Sequence, residues 1–331
     1  MTQESLQDDA ISRREFISRS LKAGAALAAV GAAGYCLHDR NGPAARPADS
    51  SFSLPDFSAG GQGGRMAIVT GSDRVKTVNA ALSALGGIGA FVKKGDRVVL
   101  KVNAAFATSP SLSATTHPQL TAEVARLCLA AGAASVVVTD NPINDPASCF
   151  TLSGIEAAAR GAGAKVALPR ENSFVPYSVP GGKLIVRWPF LAQPLSGVNK
   201  IIGIAPVKHH ERSGASMAMK NWYGLLGGRR NTFHQDIHNI IMELAMMIRP
   251  TLVILDGTTT MMHNGPTGGS LDDLAATNTM IVSTDQVAAD AFGVTLLGKT
   301  SADLPYIAKA AAAGCGTADW QSLKPIRAEA T

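Results

Sequence analysis

From Lys208 to His238 the chain reads KHHERSGASMAMKNWYGLLGGRRNTFHQDIH. Five of the seven histidines fall between His209 and His263, and Lys208, Arg212, Lys220, Arg229 and Arg230 stand among the first four of them. Imidazoles move protons near neutral pH, and ammonium and guanidinium groups hold anions. Met217, Met219 and Trp222 flank Lys220. A lysine that emerges from apolar neighbours has a lowered pKa and can serve as a base or an anion anchor. His210, Lys220 and His234 are therefore one candidate constellation. His234 and His238 are four residues apart, at metal-ligand spacing on a helix. Gln235-Asp236 follows His234 where a zinc protease motif would need Glu. His238 is better read as a core or interface histidine.

Similar residues recur where apolar runs finish. Lys101 and Asn103, Asp140 and Asn141, Lys208 to His210, Asp256, His263 and Asp285 each follow or end such a run. If the runs are neighbouring parallel strands, these side chains collect along one sheet edge, where ligands of α/β proteins bind. Thr115, Thr116 and His117 stand at a helix start, which attracts anions. His117 is a candidate base or metal ligand, and the threonines are equally candidates for simple helix caps. Asp256-Gly257 and His263-Asn264-Gly265-Pro266 bracket a loop whose glycines let backbone approach a ligand closely.

The elements that must position these groups alternate. Met66–Thr70, Arg97–Lys101, Ser135–Thr139, Lys165–Leu168, Ile201–Val207, Thr251–Leu255 and Thr279–Ser283 read as strands. Helical spacing is expected over 73–85, from Thr116 to about Ala131, over 154–160, 233–248, from the N-cap Asp285 to about Leu297, and over 302–313. The pattern predicts an α/β fold of three layers, a mostly parallel sheet with helices on both faces. Residues 169–198, with five prolines and a short strand at Leu184–Val186, read as an insertion or second lobe.

Apolar residues make up 46% of the 331 and charged residues 17%, enough for a large core and against wholesale disorder. The net charge of +5 suits a small anionic ligand and is too scattered for nucleic acid. Cys36, Cys128, Cys149 and Cys315 form no CxxC spacing, so no iron–sulfur or zinc-ribbon motif is present.

Ser12-Arg13-Arg14-Glu15-Phe16-Ile17 and the Ala/Gly-rich run from Leu21 to Tyr35 resemble a twin-arginine export signal. That resemblance implies a signal segment over residues 1–40, the twin-arginine translocase as partner, and a periplasmic or other extracytoplasmic address. The run is too short for a comfortable membrane span, so none is expected after processing. Residues 41–65, including Gly60-Gly61-Gln62-Gly63-Gly64, read as a flexible linker, and 66–325 as the folded domain.

Lys101-Val-Asn103, Thr115-Thr116-His117-Pro118, Met219-Lys220-Asn221-x-x-Gly224, Arg229 to His234, Asp256-Gly257, Gly265-Pro266 and Asp285-x-x-Ala-x-Asp290 keep the order of motifs in the domain of unknown function 362 family, which the chain resembles. The family has no established general activity. His210, Ser213-Gly214, Lys220 and His234 also resemble a segment of the nickel-pincer lactate racemases. That resemblance implies Lys220 as holder of an organometallic cofactor, His234 as metal ligand, and His117 and His210 as acid–base groups.

The residues thus predict one site. His117, His210 and Lys220 are the candidate catalytic groups. Lys101, Asn103, Thr115, Thr116, Asn221, Arg229, Asp256 and Gly265 are candidates for binding the ligand, and His234 and His263 for binding a metal. The expected chemistry is proton transfer at carbon or metal-assisted hydrolysis on an anionic ligand. The alternative is a non-catalytic protein that holds a metal, cofactor or anion.

Overall fold

The computed structural model describes residues 12–37, 52–60 and 64–330. Helix α1 (Arg13–Leu37) forms a unit of its own, and its described side chains are exposed. Among the described residues no helix is long and apolar enough to cross a membrane. The second unit carries every other element. Much of residues 41–65 lies outside the described residues. Residues 52–60, inside the stretch read as a linker, bury Phe57 in the core, and the Phe57 carbonyl accepts a hydrogen bond from Thr251 at 2.6 Å.

The second unit opens with β1 (Met66–Thr70), α2 (Arg74–Ala84), β2 (Arg97–Lys101), α3 (Pro118–Ala130) and β3 (Ser135–Thr139). It continues with α4 (Pro146–Leu152), α5 (Ile155–Gly161), β4 (Lys165–Ala167) and the hairpin strands β5 (Phe174–Tyr177) and β6 (Trp188–Leu191). Then come β7 (Lys200–His210), β8 (Gly214–Ser216), α6 (Ala218–Asn221), α7 (Ile237–Met247), β9 (Leu252–Met261), β10 (Leu274–Ala275) and β11 (Thr279–Ser283). The last elements are α8 (Gln286–Gly293), α9 (Pro305–Ala312) and β12 (Ile326–Glu329).

The sheet runs β12-β1-β11-β9-β7-β2-β3-β4, with β10 on β9 and β8 on β7. From β9 to β4 every neighbour along this order is parallel, and β11 is reversed against both β9 and β1. Strands covered on both faces are apolar throughout, which is why RVVLK, SVVVT and TMIVS show no alternation of polar residues. One core lies under α7, α8, α9 and the β5–β6 hairpin, the other under α2, α3, α4 and α5. The fold is three-layered α/β, as expected.

Several local expectations change. Leu184–Val186 is not a strand. The N–H groups of Lys183, Leu184 and Ile185 donate to the buried carboxylate of Glu243, which takes the place of a strand partner. Helix α3 is capped one residue later than expected. His117 is its N-cap and accepts the Gln119 N–H at Nδ1, while the Thr116 hydroxyl bonds Ile204 O and Asn103 N. The helix expected from Phe233 begins as a 3-10 turn, Arg230–Asp236, and becomes α-helical only at Ile237. His234 and His238 therefore do not share a regular helical face. His234 stacks on His210, and His238 stacks on Tyr306.

Candidate functional site

Strand β7 runs past β2, keeps β9 beside it as far as Lys208, and folds back into β8, pairing Lys208 with Ser216 and His210 with Gly214. The overrun carries Lys208 and His210 beyond the core, and the short α6 returns the chain with Lys220 and Asn221. Asp290 of α8 anchors that return: its buried carboxylate accepts the Ala218 N–H at 2.7 Å and the Met219 N–H at 3.2 Å. Together with the loops after β2 and β3, these segments enclose a cleft of about 140 Å³. Lys101, Lys208, Lys220 and Arg230 line it, with His210, His234, Asn103 and Asn221, and Asp140 is the one carboxylate among its lining residues.

The four cations are not equivalent. Lys101 is buried, 2.8 Å from Asp140, and it also donates to Val102 O and to Asn221 Oδ1. Its three N–H directions are used. Burial lowers its pKa and Asp140 opposes that. Arg230 donates to the carbonyls of Tyr223, Leu226, Asn141 and Pro142, so its guanidinium staples two loops while placing its charge in the cleft. Lys208 bonds the carbonyls of Ala114 and Pro266, leaving one N–H direction. Lys220 has no hydrogen-bond acceptor among the described residues and faces the Tyr223 ring at 5.4 Å. Burial pushes Lys208 down to about 7, with help from the Lys220 charge. Burial and Arg230 push Lys220 down to about 7. Two amines thus titrate near neutrality in a cleft whose fixed charge is positive.

The two imidazoles hold complementary tautomers. His210 Nδ1 accepts the Ser213 N–H at 3.3 Å, so the neutral ring carries its proton on Nε2. Burial and the neighbouring cations push its pKa down to about 2 and keep it neutral. His234 Nδ1 faces the Asn231 carbonyl at 3.1 Å and must donate to it, which leaves a lone pair on Nε2. Its pKa is lowered too, by burial first and Lys220 second. The rings stack with centroids 5.9 Å apart. One offers a proton and the other accepts one.

Backbone approaches closely at Gly224, where a Cβ would collide with the Asp140 carboxylate and lie 2.8 Å from Lys101 Nζ. Gly265 is equally constrained by the His209 carbonyl, and its N–H donates to His209 Nδ1.

Of the residues singled out by sequence, the structure brings Lys101, Asn103, His210, Lys220, Asn221 and His234 into the cleft. Arg229 is exposed and outside the lining; Arg230 holds that position. His263 is exposed. Gly265 sits behind Pro266, which does line the cleft. Asp256 and His117 belong to a second cluster. Asp256 binds Arg74 Nε at 2.7 Å and the Thr258 N–H at 2.9 Å. Burial, Arg74 and, in opposition, Asp256 set the pKa of His117 at about 4. Thr115 is buried, and its hydroxyl has no hydrogen-bond partner among the described residues. Lys208, Arg230 and Asp140 were missed as site residues, although Lys208 and Asp140 stood at recognised strand ends.

Among the described residues no group of three or more His, Cys, Asp or Glu is placed to hold a metal ion. Two imidazoles among surplus cations suit an anion and repel a bare divalent cation.

The sequence model described as domain of unknown function 362 matches residues 98–295. A thylakoid-associated protein of Synechocystis sp. is 26% identical over 254 residues, covering 70% of this chain and 72% of that protein. The lactate racemase apoprotein of Thermoanaerobacterium thermosaccharolyticum superposes with a TM-score of 0.39 at 13% identity, over 74% of this chain and 58% of that one. A protein of Thermotoga maritima gives 0.32 at 13% identity, over 55% and 50%.

Proposed function

The chain belongs to the domain of unknown function 362 family, and from that premise we propose that its cleft is an enzyme site that holds a small organic anion and moves a proton on it. The observation that carries this reading is the meeting of Lys208, Lys220 and Arg230 in one cleft whose lone lining carboxylate, Asp140, is already bound to Lys101. A cleft with unneutralised positive charge is completed by an anion. Lys208 and Lys220 are the groups with free N–H directions, so they contact the ligand. Arg230 supplies charge from a fixed position. His210 donates from Nε2, His234 accepts at Nε2, and Lys220, with a pKa of about 7, exchanges a proton at neutral pH. An anion whose C–H acidifies when its own oxygen accepts these donors would lose that proton to His234 or Lys220.

A bare metal centre does not fit this donor set. An organic cofactor that carries its own metal, of the nickel-pincer kind, would be held through Lys220 and offered His234 Nε2. Metal content and intact mass of the purified protein decide whether such a group is present. The proton-transfer reading is tested by incubating small 2-hydroxy and 2-oxo carboxylates with the protein in deuterium oxide. Exchange of the carbon-bound proton, abolished in Lys220→Ala, is expected. Binding without exchange in every case would leave the second reading, a carrier of the anion.

Residues 12–17 and the Ala/Gly-rich run after them support export by the twin-arginine route. Replacing Arg13 and Arg14 by lysine is expected to retain the protein in the cytoplasm; unchanged export would overturn this.

A further inference from the structure

Polarity in the cleft is inverted with depth. At an ordinary protein surface charged groups lie outward and apolar groups inward. Here several of the most deeply buried lining residues are charged or polar: Lys101 and Lys208 are about 1% exposed or less and His210 5%, while Lys220, Arg230 and His234 are half-buried. The outer wall is apolar. Ile143, in the loop after β3, lines the cleft and is 66% exposed. Phe106, in the loop after β2, stands beside it on the wall. These loops are tied, because the Ile143 N–H donates to the Ala105 carbonyl at 3.0 Å. The lip is therefore a built feature and not a lone side chain on a loose loop. Its ring is close to the charge: Lys208 Nζ lies 5.0 Å from the centroid of Phe106.

We infer that the ligand is an amphiphilic anion, with its anionic head on Lys208 and Lys220 and an apolar substituent of a few carbons against Phe106 and Ile143. This rests on the anion-binding reading above and adds the chemical class of the ligand. An inorganic anion would satisfy the floor and leave Ile143 in water. An aryl or short alkyl group on the same head would cover it, and each apolar carbon removed from water adds affinity. Ile143 and Phe106 are then the residues that select among anions.

The test uses two matched pairs of probes, inorganic phosphate with phenyl phosphate and acetate with phenylacetate, measured by calorimetry on the full chain. In each pair the aryl member is expected to bind about tenfold tighter. In Ile143→Ser and Phe106→Ser that ratio falls toward one, while Ile143→Leu keeps it. A ratio between two ligands does not move when a substitution merely lowers stability. Equal affinity of plain and aryl members in the wild type would overturn the lip assignment and leave anion binding intact. Failure of all four probes to bind would overturn both.

Discussion

Two polar clusters stand at the same end of the sheet, with Lys101 and Asp256 on opposite faces. By strand alternation Lys101 shares a face with Val99, in the core under α7 and α8. Asp256 shares a face with Leu252 and Ile254, in the core under α2 and α3. On the second face the ionic pairing is closed: Asp256 takes Arg74 and the Thr258 N–H, and His117 is held neutral beside them as a helix cap. In the cleft, which Lys101 reaches from the first face and Lys208, by its alternation with Ile202 and Ile204, from the second, the pairing is open: Asp140 is used on Lys101 while Lys208 and Lys220 keep free N–H directions. Residues of the same types, at equivalent strand ends, thus form a closed ionic framework in one place and leave donors unpaired in the other. The difference is whether each charge already has its partner.

The largest effect expected of any change bearing on this contrast is at Asp140. Asp140→Ala strands Lys101 in the core and frees the Ala104 and Asn141 N–H groups. A loss of about 3–5 kcal/mol in urea unfolding follows from removing one member of a buried pair. Asp256→Ala is expected to cost less, about 1–3 kcal/mol, because Arg74 is 15% exposed and can turn to water. Equal losses would mean that both faces are framework.

Next in size is ligand affinity. Lys220→Ala should reduce anion binding at least tenfold while leaving the fold as stable or more stable near neutral pH, because the buried amine costs stability there, and Lys220→Arg should not restore binding. His117→Asn, on the other face, should leave the binding isotherm within about twofold. A large loss of affinity in His117→Asn would merge the two clusters into one site.

How far the sequence carried this picture can be seen in particular stretches. MAIVT, RVVLK, SVVVT and TMIVS match their strands residue for residue, because apolar runs bounded by Gly, Asp and Asn leave little choice of boundary. Lys101, His210, Lys220 and His234 were readable as a group from residue type and order. The split between the faces was not. Alternation gives the side of the sheet for Asp256 only when α3 is known to lie on that side, and this is a tertiary fact. Arg229 and Arg230 are adjacent and chemically alike, and the carbonyls of Asn141 and Pro142, far away in sequence, select the second. The 3-10 turn that separates His234 from His238 likewise follows from the stacking of His234 on His210 and the packing of Phe233 against Trp188.

The clusters should also differ in their response to pH: the alkaline limb belongs to the cleft alone, and both clusters contribute to the acid one. Lys208 and Lys220, at about 7 in the folded chain, are well below the ordinary lysine value. Between about 7 and 10 the unfolded chain binds protons that the folded cleft does not, so stability rises with pH there. Anion affinity falls over the same range as the amines lose charge. On the acid side His117, at about 4, and His210, at about 2, stay neutral while the unfolded imidazoles charge near 6.5. Stability therefore falls as pH drops below about 6.5. Thermal unfolding of wild type, Lys220→Ala and His117→Asn across pH 4–10 separates the limbs: the first variant flattens the alkaline one, the second part of the acid one.

The smallest effects sharpen the boundary. Arg229→Ala and His263→Ala should each stay within about 0.5 kcal/mol and leave binding unchanged. Arg230→Ala, one residue away from the first, should lose both stability and affinity.

Arg230 has a kinetic consequence of its own. Its four carbonyl partners hold the guanidinium whether or not a ligand is present, and guanidinium does not deprotonate near neutral pH. At pH 9, when the two amines are largely uncharged, the cleft still presents a fixed positive potential to an approaching anion. Capture of the proposed anion is therefore expected to stay fast and salt-sensitive at that pH, with the weakened affinity read as a shorter residence time.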